Sequence, residues 1–183
     1  MQEISSGGKQ KKSSRAPERP PAFEQALRWL NVRWYSELEM RDRLAAKEYP
    51  RGEIEAAVRD CRRYGLIDDG RLAEDFARGR TQRGQGSRRI RLEMARRGLR
   101  GDIAQSALTA VAADEPEAAR RALAGKLKLW SREPDWRKRL DKAFRFLAGR
   151  GFPLALVREL LAAEAVLNRP AGRAVEVDEE WPE

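Results

Sequence analysis

Met94-Ala95-Arg96-Arg97-Gly98-Leu99 and Leu147-Ala148-Gly149-Arg150-Gly151-Phe152 end two helix-like runs alike: an apolar residue, then Arg-Gly, then a second apolar residue five positions after the first. Leu44 and Tyr49 form a third pair with the same separation. The leading members, Leu44, Met94 and Leu147, stand 50 and 53 residues apart. Self-similarity at that period indicates tandem supersecondary units, each too small to bury its own apolar face well and dependent on its neighbours. Function is therefore expected along an extended surface rather than in one pocket.

Working outward, the first unit is predicted over residues 22–67. Phe23, Ala26, Leu27 and Leu30 have helical spacing. Ser36 precedes Glu39 by three residues, a capping box that starts a second helix carrying Met40 and Leu44 and stopping near Tyr49-Pro50. Ile54, Ala57, Val58 and Cys61 mark a third helix, which Gly65 can end. A second unit is predicted over residues 68–113. Asp68 or Asp69 caps its first helix, Gly84 to Ser87 breaks the chain, Ile90 and Met94 line the second helix and Gly98 ends it; Ile103, Ala107 and Val111 are expected to be buried from the third. The third unit, residues 114–168, has Pro116 in a first turn, a Leu123/Leu127/Trp130 stripe, Asp135 capping a helix with Leu140, Phe144 and Leu147 that ends at Gly151, and a last helix over residues 154–167. No segment alternates with period two, so the chain reads as all-α: an elongated, curved array of three tandem three-helix repeats. Residues 1–21 read as a disordered basic tail and residues 169–183, with Glu176, Asp178, Glu179, Glu180 and Glu183, as an acidic one.

Among 183 residues there is one cysteine and no histidine. An internal disulfide and a Cys-rich zinc site are excluded, and the side chain most used for proton transfer near neutrality is missing. No run approaches the ~18 apolar residues of a spanning helix, and Met1 to Pro20 lacks the apolar core of a secretory signal, so a cytoplasmic, non-enzymatic binding protein without cofactor or metal is expected. Lysine and arginine number 38 against 29 acids, a balance of +9. That surplus favours polyanionic partners, nucleic acid or an acidic protein surface.

Asp68 and Asp69 are the one acidic pair that suggests acid–base or metal chemistry, yet helix capping explains them with fewer assumptions. Cys61 falls on an apolar stripe and reads as a small hydrophobe. Gly84-Gln85-Gly86 could offer amides to a phosphate, but the lysine of a P-loop is missing. Trp29, Trp34, Trp130 and Trp136 lie near helix ends and read as core seals. The last helix is apolar over more than one stripe, which favours burial among neighbours.

Arginine carries the stronger signal. Residues 71–100 hold ten, Arg71, Arg78, Arg80, Arg83, Arg88, Arg89, Arg91, Arg96, Arg97 and Arg100, against Glu74, Asp75 and Glu93. At about 100° per residue Arg88, Arg89 and Arg96 point away from the Ile90/Met94 face and form an exposed basic stripe. Guanidinium forks grip phosphates and carboxylates bidentately.

Asn31-Val32-Arg33-Trp34-Tyr35-Ser36-Glu37-Leu38-Glu39-Met40, then Gly65-Leu66-Ile67-Asp68-Asp69-Gly70-Arg71-Leu72-Ala73, resembles the bacterial recombination regulator family RecX. Arg80, Gly84, Ile90, Glu93-Met94, Arg97-Gly98-Leu99, Phe146-Leu147 and Arg150-Gly151-Phe152 continue the likeness, which spans about residues 22 to 167. Leu72 stands where the family usually has phenylalanine, and Glu48 where a glycine often precedes the apolar closure. The resemblance implies a monomer that lodges in the groove of the RecA filament on DNA and inhibits ATP hydrolysis, strand exchange and coprotease activity, with no catalytic residues. Arg88, Arg89 and Arg96 are the first candidate contacts, supported by Arg71, Arg78, Arg80 and Arg97; Ser36, Glu39, Gly65, Asp68, Asp69, Gly98 and Gly151 are structural. The alternative is an autonomous DNA-binding trihelical protein that inserts a basic helix into a groove.

Overall fold

The structure, a computed structural model, describes residues 19–130 and 132–163. The acidic tail, most of the basic one, and the last helix beyond residue 163 lie outside the described residues. Nine α-helices fall into three groups: α1 (Ala22–Leu30), α2 (Glu37–Ala45) and α3 (Arg51–Arg63); α4 (Asp69–Gln82), α5 (Ser87–Arg96) and α6 (Gly101–Ala110); and, after a 3-10 turn at Ala112–Asp114, α7 (Glu115–Trp130), α8 (Trp136–Gly149) and α9 (Leu154–Ala163). Among the described residues there is no strand.

The recurring five-residue spacing turns out to be one hydrogen-bonded motif. The amides of Tyr49, Leu99 and Phe152 donate to the carbonyls of Leu44, Met94 and Leu147 at 3.3, 3.0 and 3.3 Å, and the residue before each has positive φ: Glu48 59°, Gly98 83°, Gly151 84°. This is a Schellman closure, in which a left-handed residue ends the helix and brings an apolar residue back onto the last turn. Leu44, Met94, Leu99, Leu147 and Phe152 are fully buried as a result, and Tyr49 nearly so. Glu48 does this without glycine's freedom, and α2 stops at Ala45 through that left-handed turn, ahead of the expected stop at Tyr49-Pro50.

Three separate cores result, one per unit: Ala22 to Ile67 in the first, Leu72 to Val111 in the second and Ala118 to Leu161 in the third. The expectation that each unit depends on its neighbours to cover its apolar face is corrected by this. The closures return their apolar residues to their own unit, so little apolar surface is left to share. Ile103, expected inside, is 39% exposed, because Ala104, Ala107, Leu108 and Val111 form the inward stripe and leave it at the edge. Trp34, expected as a seal, is 48% exposed. The end of the supposed basic tail is engaged: Arg19 donates to the Lys47 carbonyl at 2.6 Å and Pro20 accepts from the Tyr49 hydroxyl at 2.7 Å.

The units are joined instead through polar groups at the first turns of α2 and α5. A helix start leaves amides without intrahelical partners. The Glu37 amide, first in α2, donates to the Asp69 carboxylate of the next unit at 3.0 Å; the Ser87 amide, first in α5, donates to the Glu115 carboxylate of the third at 2.6 Å. The closure of the next unit docks at the same place. Ser36 completes its capping box with Glu39, and its hydroxyl donates to the Arg97 carbonyl. At the second joint the Gly86 amide itself donates to the Arg150 carbonyl at 2.9 Å, and the Arg88 amide to that of Gly151 at 3.0 Å. A Cβ on Gly86 would lie 2.2 Å from the Phe152 nitrogen, so only glycine permits this approach.

Arg97 and Arg150 are the corresponding bolts. Arg97 grips Glu39 with both forks, Nε to Oε1 at 3.0 Å and Nη2 to Oε2 at 2.8 Å, while Arg150 donates to the carbonyls of Arg83 and Gly84 at the end of α4 at 3.1 and 3.0 Å. Burial raises the Glu39 carboxyl's pKa, but hydrogen bonds from Arg97 and the Ser36 amide, with the charges of Arg97 and Arg33, outweigh it and hold the group below the usual carboxylate range. Asp69 goes the other way: burial lifts it, the Glu37 amide opposes, and the Glu37 and Asp68 charges add to the rise.

Gly151→Ala combines positive φ with a Cβ 2.4 Å from that of Arg89, and is expected to lower stability in urea unfolding by more than about 2 kcal/mol. Glu48→Gly relieves the same backbone conformation and is expected to raise stability by about 0.5–1 kcal/mol. Equal effects from the two substitutions would dissociate the closures from the backbone conformation.

Glu39→Gln is expected to cost about 1–2 kcal/mol at pH 7. Because the folded pKa lies below the ordinary 4.5, the carboxylate's contribution is complete above that pH and is lost as pH falls through the folded value. The variant's stability profile should therefore lack that acid-side loss. Hydrogen exchange would register the change in the first two units and leave the amides of α8 unaltered.

Candidate functional site

Helix α5 turns Ile90 and Met94 into the core of the middle unit and leaves Arg88, Arg89, Arg91, Leu92 and Arg96 outside. Docking of the third unit at the start of α5 then sets a second wall beside these residues. The result is an open cleft of about 420 Å³ lined by Arg88, Arg89, Leu92, Glu93 and Arg96 from α5 and by Ala148, Gly149 and Gly151 from the end of α8. The three arginines singled out first thus share one site, at the joint between units two and three.

Their charges are not equally available. Arg89 and Arg80 both pair with Glu93, each at 3.0 Å, so one carboxylate balances two guanidinium groups. Arg88 and Arg96 have no side-chain partner among the described residues. Leu92, 64% exposed, gives the cleft an apolar floor that the basic stripe had not suggested. Helical phase offered a signal for it: Leu92 stands about 200° from Ile90, off the core stripe and among arginines.

The supporting arginines lie elsewhere. Arg78 pairs with Asp75 at 3.5 Å along α4. Arg71, at the start of α4, stacks over the exposed Trp34 ring at 5.4 Å, on the face shared by units one and two. Arg97 is consumed by Glu39 and by the Phe76 ring, 5.3 Å from its guanidinium. It belongs to the joint rather than to the stripe.

The acidic and glycine-rich motifs are likewise taken up by structure. Asp68 caps α4 through the Arg71 amide at 3.0 Å, while Asp69 caps the neighbouring α2. The amides of Gly86, Ser87 and Arg88 are occupied by Arg150, Glu115 and Gly151, which leaves them unavailable to a phosphate. Cys61 is fully buried, and burial with the nearby Asp60 charge pushes its thiol pKa up. Among the described residues no three His, Cys, Asp or Glu side chains stand together as a metal site, and no helix is long and apolar enough to cross a membrane.

Known proteins share this arrangement. Three consecutive stretches match the descriptions "RecX, first three-helix domain" over residues 22–61, "RecX, second three-helix domain" over residues 68–108 and "RecX, third three-helix domain" over residues 113–161. The regulatory protein RecX of Chromohalobacter salexigens is 37% identical over 139 residues, covering 76% of this chain and 90% of its own. That of Legionella pneumophila is 35% identical over 132 residues, covering 72% and 86%. The crystal structure of RecX from Lactobacillus salivarius superposes with a TM-score of 0.71 at 20% identity, over 76% of this chain and 92% of that one.

Proposed function

The chain belongs to the RecX family of regulatory proteins, and from that premise we propose that it binds the RecA filament on DNA and inhibits its ATPase, strand-exchange and coprotease activities. It does so by occupancy, without chemistry of its own, and thereby tempers recombination, DNA repair and the SOS response in the cytoplasm. The observation that carries the reading is the α5 cleft, where Arg88 and Arg96 face outward without carboxylate partners. An unpaired guanidinium is already positioned to take a phosphate or carboxylate, and breaks no internal pair to do so. A tandem monomer with three separate cores suits a filament groove, since one unit can engage while its neighbours extend along the repeating surface. Charges of this kind set encounter rate and register more than ultimate affinity.

Titration of RecA ATPase on single-stranded DNA tests this. Reversing Arg88, Arg89 and Arg96 together to glutamate is expected to raise the concentration for half-inhibition at least about tenfold, with helical circular dichroism unchanged. Arg78→Glu, away from the cleft, serves as the charge-matched comparison and should shift it by less than about twofold. Undiminished inhibition by the triple variant would remove the α5 face from the mechanism.

One observation favours the second reading, autonomous DNA binding: Arg71 over the exposed Trp34 combines a cation and a free ring as single-strand stacking sites do. That reading expects Trp34→Ala to weaken affinity for a naked single-stranded oligonucleotide by roughly fivefold or more. A change under twofold would assign Trp34 no stacking role.

A further inference from the structure

Exposed arginines on the third unit are largely balanced within their own helices. Arg120 and Arg121 both face Glu117, at 3.6 and 3.7 Å, and Arg145 faces Asp141 at 2.9 Å. The α5 cleft next to it is the contrast: Arg88 and Arg96 lack partners, Arg89 shares Glu93 with Arg80, and Leu92 lies bare between them. Beyond the described residues, the same chain carries a segment of complementary chemistry. After Arg173, the run Ala174-Val-Glu-Val-Asp-Glu-Glu-Trp-Pro-Glu183 holds five carboxylates and no lysine or arginine, with Val175, Val177 and Trp181 interleaved.

We propose that this acidic C-terminal segment, residues 174–183, docks on the α5 cleft of its own chain and competes there with polyanionic partners. Its carboxylates meet Arg88, Arg89 and Arg96, and one of its apolar side chains covers Leu92. Reach permits it. The cleft wall at Gly149 and Gly151 immediately precedes α9, whose ten residues carry the chain about 15 Å away. Thirteen residues separate Ala163 from Glu176, enough for about 40 Å when extended. A tether of this length holds the segment at about millimolar effective concentration, so individually weak surface pairs suffice for partial occupancy. Such occupancy is salt-sensitive and displaceable, which makes it a filter: a dense polyanion displaces the segment, a sparse one does not. The docking stands on charge and reach alone; only its consequence for RecA rests on the function proposed above.

Two measurements on the full chain test it, neither involving RecA. A spin label on Glu183→Cys, with Cys61 fully buried and shielded from the reagent, is expected to broaden the amide signals of Arg89, Leu92, Arg96 and Gly149 at low salt. Broadening should fade at about 0.5 M salt and in Arg88→Glu/Arg96→Glu. Its absence from the cleft, or its persistence in that double variant, overturns the proposal. Neutralising the five acids (E176Q, D178N, E179Q, E180Q, E183Q) is expected to tighten binding of a fluorescent single-stranded oligonucleotide about three- to tenfold, and that gain should disappear when Arg88 and Arg96 are also reversed. A gain that survives the reversal means diffuse repulsion rather than docking, and likewise overturns it.

Discussion

Everything that makes this chain an array rather than three beads depends on the unpaired amides at the starts of α2 and α5. A helix start exposes donors that must find acceptors when they are covered. Here the acceptors come from the following unit. Asp69 and Glu115, each at the first residue of the next unit's first helix, take the amides of Glu37 and Ser87. Arg97-Gly98 and Arg150-Gly151, each at the end of the next unit's second helix, close over the same turns. Both negative groups also sit at the favourable end of a helix dipole. Each unit therefore supplies a socket, and the next supplies the plug.

The two joints solve the same problem with different side chains. In the first, Ser36 keeps its Cβ, so the Arg97 carbonyl is reached through the hydroxyl, and Glu39 anchors the guanidinium. In the second, Gly86 removes the Cβ and backbone meets backbone, while Arg150 turns to the carbonyls of Arg83 and Gly84. A joint anchored by a carboxylate responds to acid, whereas one made of amides and carbonyls does not. With the apolar cores separate, small rotations between units disturb a few polar contacts and no packed interior. Adaptability along a partner's surface follows from that division.

The closures were legible in sequence because a Schellman motif pairs two apolar residues at fixed separation around a left-handed residue, and all of these features are local. The Ser36/Glu39 box and the Asp68 cap were legible for the same reason. The joints were not. Nothing near Asp69 indicates that its carboxylate serves α2, 32 positions earlier, nor near Arg97 that Glu39 awaits it 58 positions away. Helical phase correctly turned Arg88, Arg89 and Arg96 outward, yet the cleft they line exists only because α8 ends beside them. Ile103 and Trp34 misled because apolar character was taken as burial, when each lies at a unit edge with the inward positions already filled.

Arginine content alone therefore overstates the binding surface. Guanidinium groups in the middle unit do three kinds of work: Arg97 locks a joint, Arg80 and Arg89 converge on Glu93, and Arg88 and Arg96 are left over. Only the last class can take a new anion without giving up an internal partner, so its interaction with a ligand carries the smallest offsetting loss. The third unit decides where that class appears, since its closure fixes the start of α5 and its helix α8 supplies the facing wall. The same contacts that assemble the array thus create its one unpaired arginine cleft at the second joint. Any partner that reads Arg88 and Arg96 together is reading the relative placement of two units, and loosening the Gly86–Arg150 contact would blur that reading before it unfolded either core.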